Sequence, residues 1–165
     1  MNCAPLPKNS CSRCSNVGIK KMSITVADHI AIQRLMYRYA SCADRKDYAG
    51  FADVFCADAV FDFSGRVVTS LAAIQDMMHA LEKYSATLHQ VHNTLYEVDG
   101  DIATGETYCL ASHLFKDQGD TLKLDMGIIY DDRLRRCAGD WLIELRKFTL
   151  LWSQTAAVNP STPAR

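Results

Sequence analysis

Residues 87–115 read TLHQVHNTLYEVDGDIATGETYCLASHLF, and this stretch decides the fold. Apolar and polar side chains alternate on both sides of Asp99-Gly100, a dipeptide typical of type I′ hairpin turns. Two more alternating segments follow, TLKLDMGIIY and WLIELRKFTLLW, with CAGD before the second. This period of two predicts a meander of four long antiparallel strands.

Upstream of this stretch the hydrophobic period is that of helices. Thr25 is a predicted N-cap for a helix over residues 26–44, and a second short helix is predicted over 48–55. AVFDF at 59–63 predicts a short strand, and Ser70 is the predicted N-cap of a third helix. The order predicts an α+β fold in which three N-terminal helices pack on one face of a curved antiparallel sheet. The apolar face of the first helix comprises Ile32, Leu35, Met36, Tyr39, Ala40 and Ala43.

Length and composition predict one globular domain with a tail at each end. The chain has 165 residues, of which 48% are hydrophobic. We expect the domain over residues 23–154, a flexible tail over 155–165, and a disordered tail over 1–22 that either comes from an upstream start codon or plays no structural part.

The charge and hydropathy of the chain give no indication of a nucleic-acid or membrane partner. A net charge of −1 gives no reason to expect nucleic acid or an anionic membrane surface as a partner. No apolar run approaches the ~18 residues of a membrane span, and the N-terminus lacks the apolar core of a secretory signal. We therefore expect a cytoplasmic protein.

Seven cysteines form an odd set, which does not suggest a disulfide framework. Cys11-Ser-Arg-Cys14 has the spacing of half a zinc site, but no second close pair accompanies it, and Cys3 is the only other cysteine nearby. We expect no metal. The remaining cysteines are expected to be reduced core thiols: Cys42, Cys56, Cys109 and Cys137.

His89 and His92 lie three residues apart. On a helix this spacing would suggest a metal site, but residues an odd number apart on a strand point to opposite faces. His89 is therefore predicted on the inner face of the sheet and His92 on the outer face.

Three segments in order resemble one known family: AIQRLMYRYASCADRKDYAGFADVF (31–55), TLHQVHNTLYEVDGDIATG (87–105) and WLIELRKF (141–148). Over residues 24–153 the chain resembles the SnoaL-like branch of the nuclear transport factor 2-like superfamily, whose members include scytalone dehydratase, hexachlorocyclohexane dehydrochlorinase and bile-acid 7α-dehydratase. The resemblance implies that the sheet forms a cone-shaped pocket closed by the helices. It also implies an Asp–His catalytic pair, at Asp44 and His89 in this sequence.

The residues themselves support an interaction between Asp44 and His89. Asp44 lies on or beside the apolar face of its helix, where a carboxylate needs a partner. It is predicted to accept a hydrogen bond from one nitrogen of His89, which fixes the tautomer and raises the basicity of the other nitrogen. The alternative is an Asp at the helix end that is solvated or forms a structural ion pair.

The resemblance extends to Tyr39 and His113 as catalytic candidates. Tyr39 lies on the apolar face of the first helix, so core packing and hydrogen bonding to an oxyanion are both compatible with its position. His113 shares strand parity with Cys109 and Ala111, whose small side chains leave room for a ligand, and is predicted to be a pocket acid or hydrogen-bond donor.

Arg146 is the last catalytic candidate that the resemblance implies. It shares strand parity with Phe148 and Trp152, so it is either half of an ion pair or a clamp for an anion or carbonyl. Asn93, Phe63 and Trp152 are expected to contact the substrate.

Taken together, the residues and the resemblance predict a cofactor-independent lyase. A dehydratase, or a hydratase in the reverse direction, would act on a hydrophobic ring-containing molecule such as a steroid or polyketide. Alternatives are an isomerase or cyclase with the same base, a non-catalytic ligand-binding module, or the small subunit of a ring-hydroxylating dioxygenase. We expect a homodimer or homotrimer, with no nucleic-acid or membrane partner.

Overall fold

The computed structural model describes residues 24–159, in which one six-stranded sheet carries the helices on its inner face. The order across the sheet is β2-β1-β6-β5-β4-β3. β1 runs parallel to β6, and the other neighbouring pairs are antiparallel. The sheet is curved and does not close, which confirms the predicted α+β class. The strands are β1 (Phe55–Phe63), β2 (Arg66–Thr69), β3 (Ala86–Asp99), β4 (Ile102–Asp117), β5 (Asp120–Cys137) and β6 (Asp140–Ala157).

The hairpin turns follow the sequence prediction with one difference. Ala138 and Gly139, between β5 and β6, both have positive φ, as a type I′ turn requires. Between β3 and β4, Asp99 pairs with Ile102, so the two central residues are Gly100 and Asp101, and only Gly100 has positive φ. The predicted hairpin is present, but its type I′ assignment to Asp99-Gly100 is wrong.

Two α-helices pack against the sheet. α1 (Val26–Arg45) begins at Thr25, whose hydroxyl accepts a hydrogen bond from the backbone N–H of Asp28, and ends at Lys46 in the left-handed conformation. α2 (Leu71–Met78) begins at Ser70, as predicted. The predicted apolar face of α1 is buried, which fixes the helix on the sheet.

The predicted count of three N-terminal helices is wrong for the described residues. The segment predicted as a helix over 48–55 forms only a 3₁₀ helix, Ala49–Asp53. Asp47 accepts the backbone N–H of Gly50 with its side chain, and Phe55 already belongs to β1. Too few residues remain between these two constraints for an α-helix. A second 3₁₀ helix (His79–Lys83) and β2 were not predicted.

The ends of the domain differ slightly from the prediction. β6 continues to Ala157, beyond the predicted end of the domain at residue 154, and the N–H of Val158 donates to the carbonyl of Thr121. The predicted tail over residues 1–22 lies outside the described residues, and so do Cys3, Cys11 and Cys14. No helix in residues 24–159 is long and apolar enough to cross a membrane.

The four described cysteines are free thiols, and Cys42, Cys56 and Cys109 lie in the core as predicted, whereas Cys137 is half-buried. Burial raises the pKa of the Cys109 thiol to about 12, a value typical of an inert core cysteine.

Irregular strand pairing changes which residues face the core. In β3 the register shifts between Val91 and Thr94, so that His89 and then Tyr96 face inward although one position is odd and the other even. A β-bulge of this kind adds a residue to one strand and reverses its parity beyond that point.

Gly105 is a position where an added methyl group should destabilise the fold. A Cβ there would collide with the carbonyl oxygen of Leu95 and lie 2.7 Å from the Cα of Tyr96, and backbone atoms cannot move aside easily. We expect Gly105→Ala to lower the free energy of unfolding by about 1–3 kcal/mol, measured by urea denaturation. Gly127→Ala is the control, because the Trp152 ring that it meets is half-exposed and can rotate away. An equal loss in both variants would contradict this explanation.

Candidate active site

A cavity of about 320 Å³ lies between the inner face of the sheet and the helical segments. Two histidines, His89 and His113, lie in its wall, and Arg66 and Lys83 also line it. Two larger depressions lie on the surface beside α1 and on the outer face of the sheet, but neither contains an Asp–His pair. Most of the cavity wall is apolar, including Phe61, Phe63, Met77, Leu81, Ile128 and Phe148.

Asp44 and His89 form a tight pair, of which His89 lines the cavity. The Nδ1 atom of His89 lies 2.7 Å from Oδ1 of Asp44, and the His89 side chain is only 6% exposed. The backbone N–H of His89 also donates to both carboxylate oxygens, at 3.1 and 2.9 Å. The hydroxyl of Thr87 donates to Oδ1 at 3.0 Å. Four contacts therefore hold the carboxylate against the start of β3.

These contacts offset an unfavourable position for Asp44. The residue is the penultimate one in α1, where the helix dipole disfavours a negative charge. Burial alone would raise the pKa of the Asp44 carboxyl, but hydrogen bonds from His89 and Thr87 outweigh burial and lower the pKa below 3.8. The carboxylate is thus ionised at neutral pH.

The lowered pKa predicts an acid-dependent contribution of Asp44 to stability. A group whose folded pKa is depressed stabilises the fold above its unfolded pKa, and this contribution is lost as the pH falls through the folded pKa. We expect Asp44→Asn to lower the Tm at neutral pH, and the difference from wild type to shrink below pH 3.8, the ordinary value for the carboxyl. A Tm series against pH measures this. Asp76→Asn is the matched control, because the Asp76 side chain is exposed, and a pH-independent difference for Asp44→Asn would contradict the assignment.

The hydrogen bond to Asp44 also determines the orientation of the His89 ring. Because Asp44 is ionised, Nδ1 of His89 carries the proton and donates it to Oδ1. Nε2 is then the unprotonated nitrogen in the neutral ring, and it has no hydrogen-bond partner among residues 24–159. A lone pair on a cavity-lining imidazole can accept a proton from a bound molecule.

His113 lies beside His89 in the cavity wall. The two rings are 5.5 Å apart and nearly perpendicular, and His113 is 2% exposed. Burial, reinforced by the nearby His89, lowers the pKa of His113 to about 4. The ring is therefore neutral at neutral pH, which favours the predicted role of hydrogen-bond donor over that of acid. Its buried Nδ1 has no hydrogen-bond partner in the described part of the chain.

Tyr39 has a position that is compatible with both roles predicted for it, core packing and hydrogen bonding in the cavity. Its ring packs edge-on against Phe55 in the core, and it also lines the cavity, 6.4 Å from the His89 ring. Burial raises the pKa of the Tyr39 hydroxyl, an effect that Arg146 partly opposes. The hydroxyl is therefore protonated at neutral pH and has a proton to donate.

Arg146 forms an ion pair, the first of the two alternatives predicted for it. Its guanidinium is fully buried and makes two hydrogen bonds to Asp132, at 2.8 and 2.7 Å. It lies 4.2 Å from the ring centres of both Tyr39 and Tyr130. Arg146 is not among the cavity-lining residues, so these rings separate it from a bound molecule. The structure does not support the predicted anion clamp.

Of the three predicted substrate-contacting residues, Phe63 lines the cavity, where it stacks on Phe148 at 4.3 Å. Asn93 lies exposed in the β3 bulge and is not in the cavity wall, so the structure does not support its predicted contact with the substrate. The structure does not support that contact for Trp152 either. A register shift in β6 places it opposite Gly127 and turns it to the outer face.

His92 is exposed in the same bulge as Asn93, on the other side of the strand from the cavity. His89 and His92 thus do not converge, as strand parity predicted. Within residues 24–159, no group of three His, Cys, Asp or Glu side chains has the geometry of a metal site.

Comparison with known proteins identifies the family of the chain. The family model of the SnoaL-like domain matches residues 25–147. The chain belongs to this family, within the nuclear transport factor 2-like superfamily. No curated protein matches the chain significantly.

Solved structures with the same fold as this SnoaL-like domain include proteins with and without a stated activity. Rv3472 of Mycobacterium tuberculosis, a protein of unknown function, is 28% identical over 76% of this chain and 77% of that chain, with a TM-score of 0.68. Kfla4162 of Kribbella flavida is 24% identical over 78% and 93%, with a TM-score of 0.72. A hexachlorocyclohexane dehydrochlorinase of Novosphingobium barchaimii is 17% identical over 83% and 95%, with a TM-score of 0.72.

Sequence reasoning missed several residues of the SnoaL-like domain that shape the site. Asp132 pairs with Arg146, and Tyr84 packs 4.6 Å from the His113 ring. Asp132 has the same parity as Ile128, Tyr130 and Leu134, and a carboxylate among these apolar inward positions could have indicated a partner for Arg146. Tyr84 precedes the strand without a periodic signal, so nothing in the sequence pointed to it.

Proposed function

We propose that this SnoaL-like domain is a cofactor-independent lyase that removes water from a hydrophobic, ring-containing small molecule, or adds it in the reverse direction. The observation that carries the proposal is the Asp44–His89 pair, whose free Nε2 belongs to a residue that lines an apolar cavity. A buried imidazole oriented by a carboxylate is a common arrangement for a general base.

The proposed reaction begins with Nε2 of His89 taking a proton from a carbon next to a carbonyl group. The electrons of the broken C–H bond form the new C=C bond as the C–O bond to the departing hydroxyl breaks. The His89 imidazolium returns its proton to the hydroxyl, so that one water leaves and the base is regenerated. Asp44 stabilises the positive charge that His89 carries between these two transfers.

Tyr39 and His113 are the proposed hydrogen-bond donors to the substrate oxygen. Both line the cavity near His89. Burial keeps the Tyr39 hydroxyl protonated, and the neutral His113 ring that burial favours still carries one N–H. Donors that face the developing oxyanion lower the barrier most when water is excluded.

The cavity supports a small hydrophobic substrate. Its volume of about 320 Å³ lies near the lower end of the range for ligand pockets, and aromatic rings form much of its wall. The name of the dehydrochlorinase describes an elimination on a ring compound, which is the same type of reaction. Compact steroid and polyketide skeletons with a hydroxyl beta to a carbonyl are the first compounds to test.

A substrate screen tests the proposal. The purified protein and its His89→Ala variant are incubated with such compounds, and mass spectrometry records the loss or gain of one water. Conversion by the wild type and not by the variant is the expected result. Conversion at unchanged mass would replace the lyase with an isomerase or cyclase, and equal conversion by both proteins would contradict His89 as the base.

A further inference from the structure

The opening of the cavity carries two cations without a counter-ion. Arg66 in β2 and Lys83 at the end of the second 3₁₀ helix both line the cavity and are both exposed to solvent, so they stand at its opening. Neither forms an ion pair with any residue in the range 24–159. By contrast, Arg38, Arg133, Arg135 and Arg136 each pair with a carboxylate.

The carboxylates closest in sequence to these cations are engaged elsewhere. Asp62 accepts the backbone N–H of Gly65, and its position in β1 alternates with the cavity-lining Phe61 and Phe63. Glu82 lies 2.7 Å from the ring nitrogen of His79. No carboxylate is among the cavity-lining residues of the described chain. The opening is therefore positively charged, and its charge is not neutralised by the protein.

A row of side chains in contact connects one of these cations with the inner wall. The Lys83 ammonium lies 4.9 Å from the centre of the Tyr84 ring, and that ring lies 4.6 Å from the His113 ring. The unpartnered Nδ1 of His113 is buried at the inner end of this row. A ligand that reaches from the opening to His89 would pass along these groups.

We propose that the substrate carries an anionic oxygen group, such as a carboxylate, that Arg66 and Lys83 bind at the cavity opening while its ring lies against His89. The assignment of the ligand as substrate rests on the proposed function, but the preference of the cavity for an anion does not. The Arg66 guanidinium offers two parallel N–H donors to a carboxylate, and Lys83 adds a second charge.

The expected contribution is moderate, because both cations are exposed and screened by water. We expect about a two- to fivefold gain in affinity for each cation that contacts the anion. The apolar wall, in contrast, should bind a charged and a neutral compound of the same shape equally well.

Two fluorescent probes that differ only in charge test the proposal. Anilinonaphthalene sulfonate is an anion, and N-phenylnaphthylamine has the same ring skeleton without the sulfonate. Each is titrated into the full-length wild type, into a variant with Arg66→Gln and Lys83→Gln, and into a control with Arg34→Gln and Lys147→Gln. The control removes the same two side-chain types at exposed positions outside the cavity wall.

The expected result is that the two probes displace each other and that the cavity variant binds the anionic probe about 5- to 20-fold more weakly. Binding of the neutral probe should be unchanged in that variant, and the control should bind both probes like the wild type. Equal losses for both probes, no loss for the anion, an equal loss in the control, or probes that do not compete would overturn the proposal.

These outcomes are separate from those that test the lyase. Probe binding needs no turnover. If the cavity prefers the anionic probe but the activity does not depend on His89, only the proposed function is overturned. A His89-dependent activity in a protein without anion preference would overturn only the role of Arg66 and Lys83.

Discussion

Replacing His89 with alanine is expected to lower kcat by about 10²- to 10⁴-fold on a converted substrate, because the variant lacks the group that takes the proton. The rest of the cavity remains, so the substrate should still bind and KM should change much less than kcat. Steady-state kinetics on the wild type and the variant measure both quantities. Thermal unfolding of the variant shows whether the fold is kept.

His92→Ala is the matched control for this experiment. The same substitution three residues away removes an exposed imidazole from the bulge and leaves the cavity wall intact. We expect its kcat to stay within about twofold of the wild type. A His89→Ala variant with near-native turnover, or an equal loss in His92→Ala, would show that the base lies elsewhere.

Most of the sheet was predictable because long alternating segments leave few alternative structures. The four strands of the meander follow directly from the alternation that begins at Thr87. The short elements were not predictable in the same way. The segment between α1 and β1 is long enough in sequence for a helix, and only the Asp47 side chain and the pairing of Phe55 limit it to a 3₁₀ helix.

The Asp44–His89 contact was predictable because the family resemblance implies this pair and because a carboxylate beside the apolar face of its helix needs a partner. Trp152 shows where reasoning from strand parity fails. Its parity matched that of Phe148, but a bulge between them adds a residue and turns Trp152 outward. Bulges depend on pairing across the sheet, which a single strand's sequence does not show. The partner of Arg146 was also missed, although Asp132 is a carboxylate at an inward position, because the pairing that brings the two together is not visible in either strand alone.

Asp132→Leu is expected to lower the free energy of unfolding by about 3–5 kcal/mol, among the largest stability effects in the protein. The substitution leaves the Arg146 guanidinium buried without a counter-ion, between the rings of Tyr39 and Tyr130. It also removes one partner of the Tyr96 hydroxyl, which keeps its contact with Thr107 at 3.0 Å. Urea denaturation with an unchanged m-value measures the loss.

Arg146→Met alone should also be destabilising, since it leaves a buried carboxylate that must be protonated or remain unpaired. The double variant removes both charges and fills the space with apolar groups, so its stability should return to within about 1–2 kcal/mol of the wild type. The control is Arg133→Met, which breaks a partly exposed pair with Glu144 and should cost less than about 1 kcal/mol. If the losses in free energy of unfolding of the two single variants simply added up in the double variant, Asp132 and Arg146 would contribute to stability independently of each other. Arg146 would then be free of its ion pair and available as an anion clamp, contrary to the arrangement seen here.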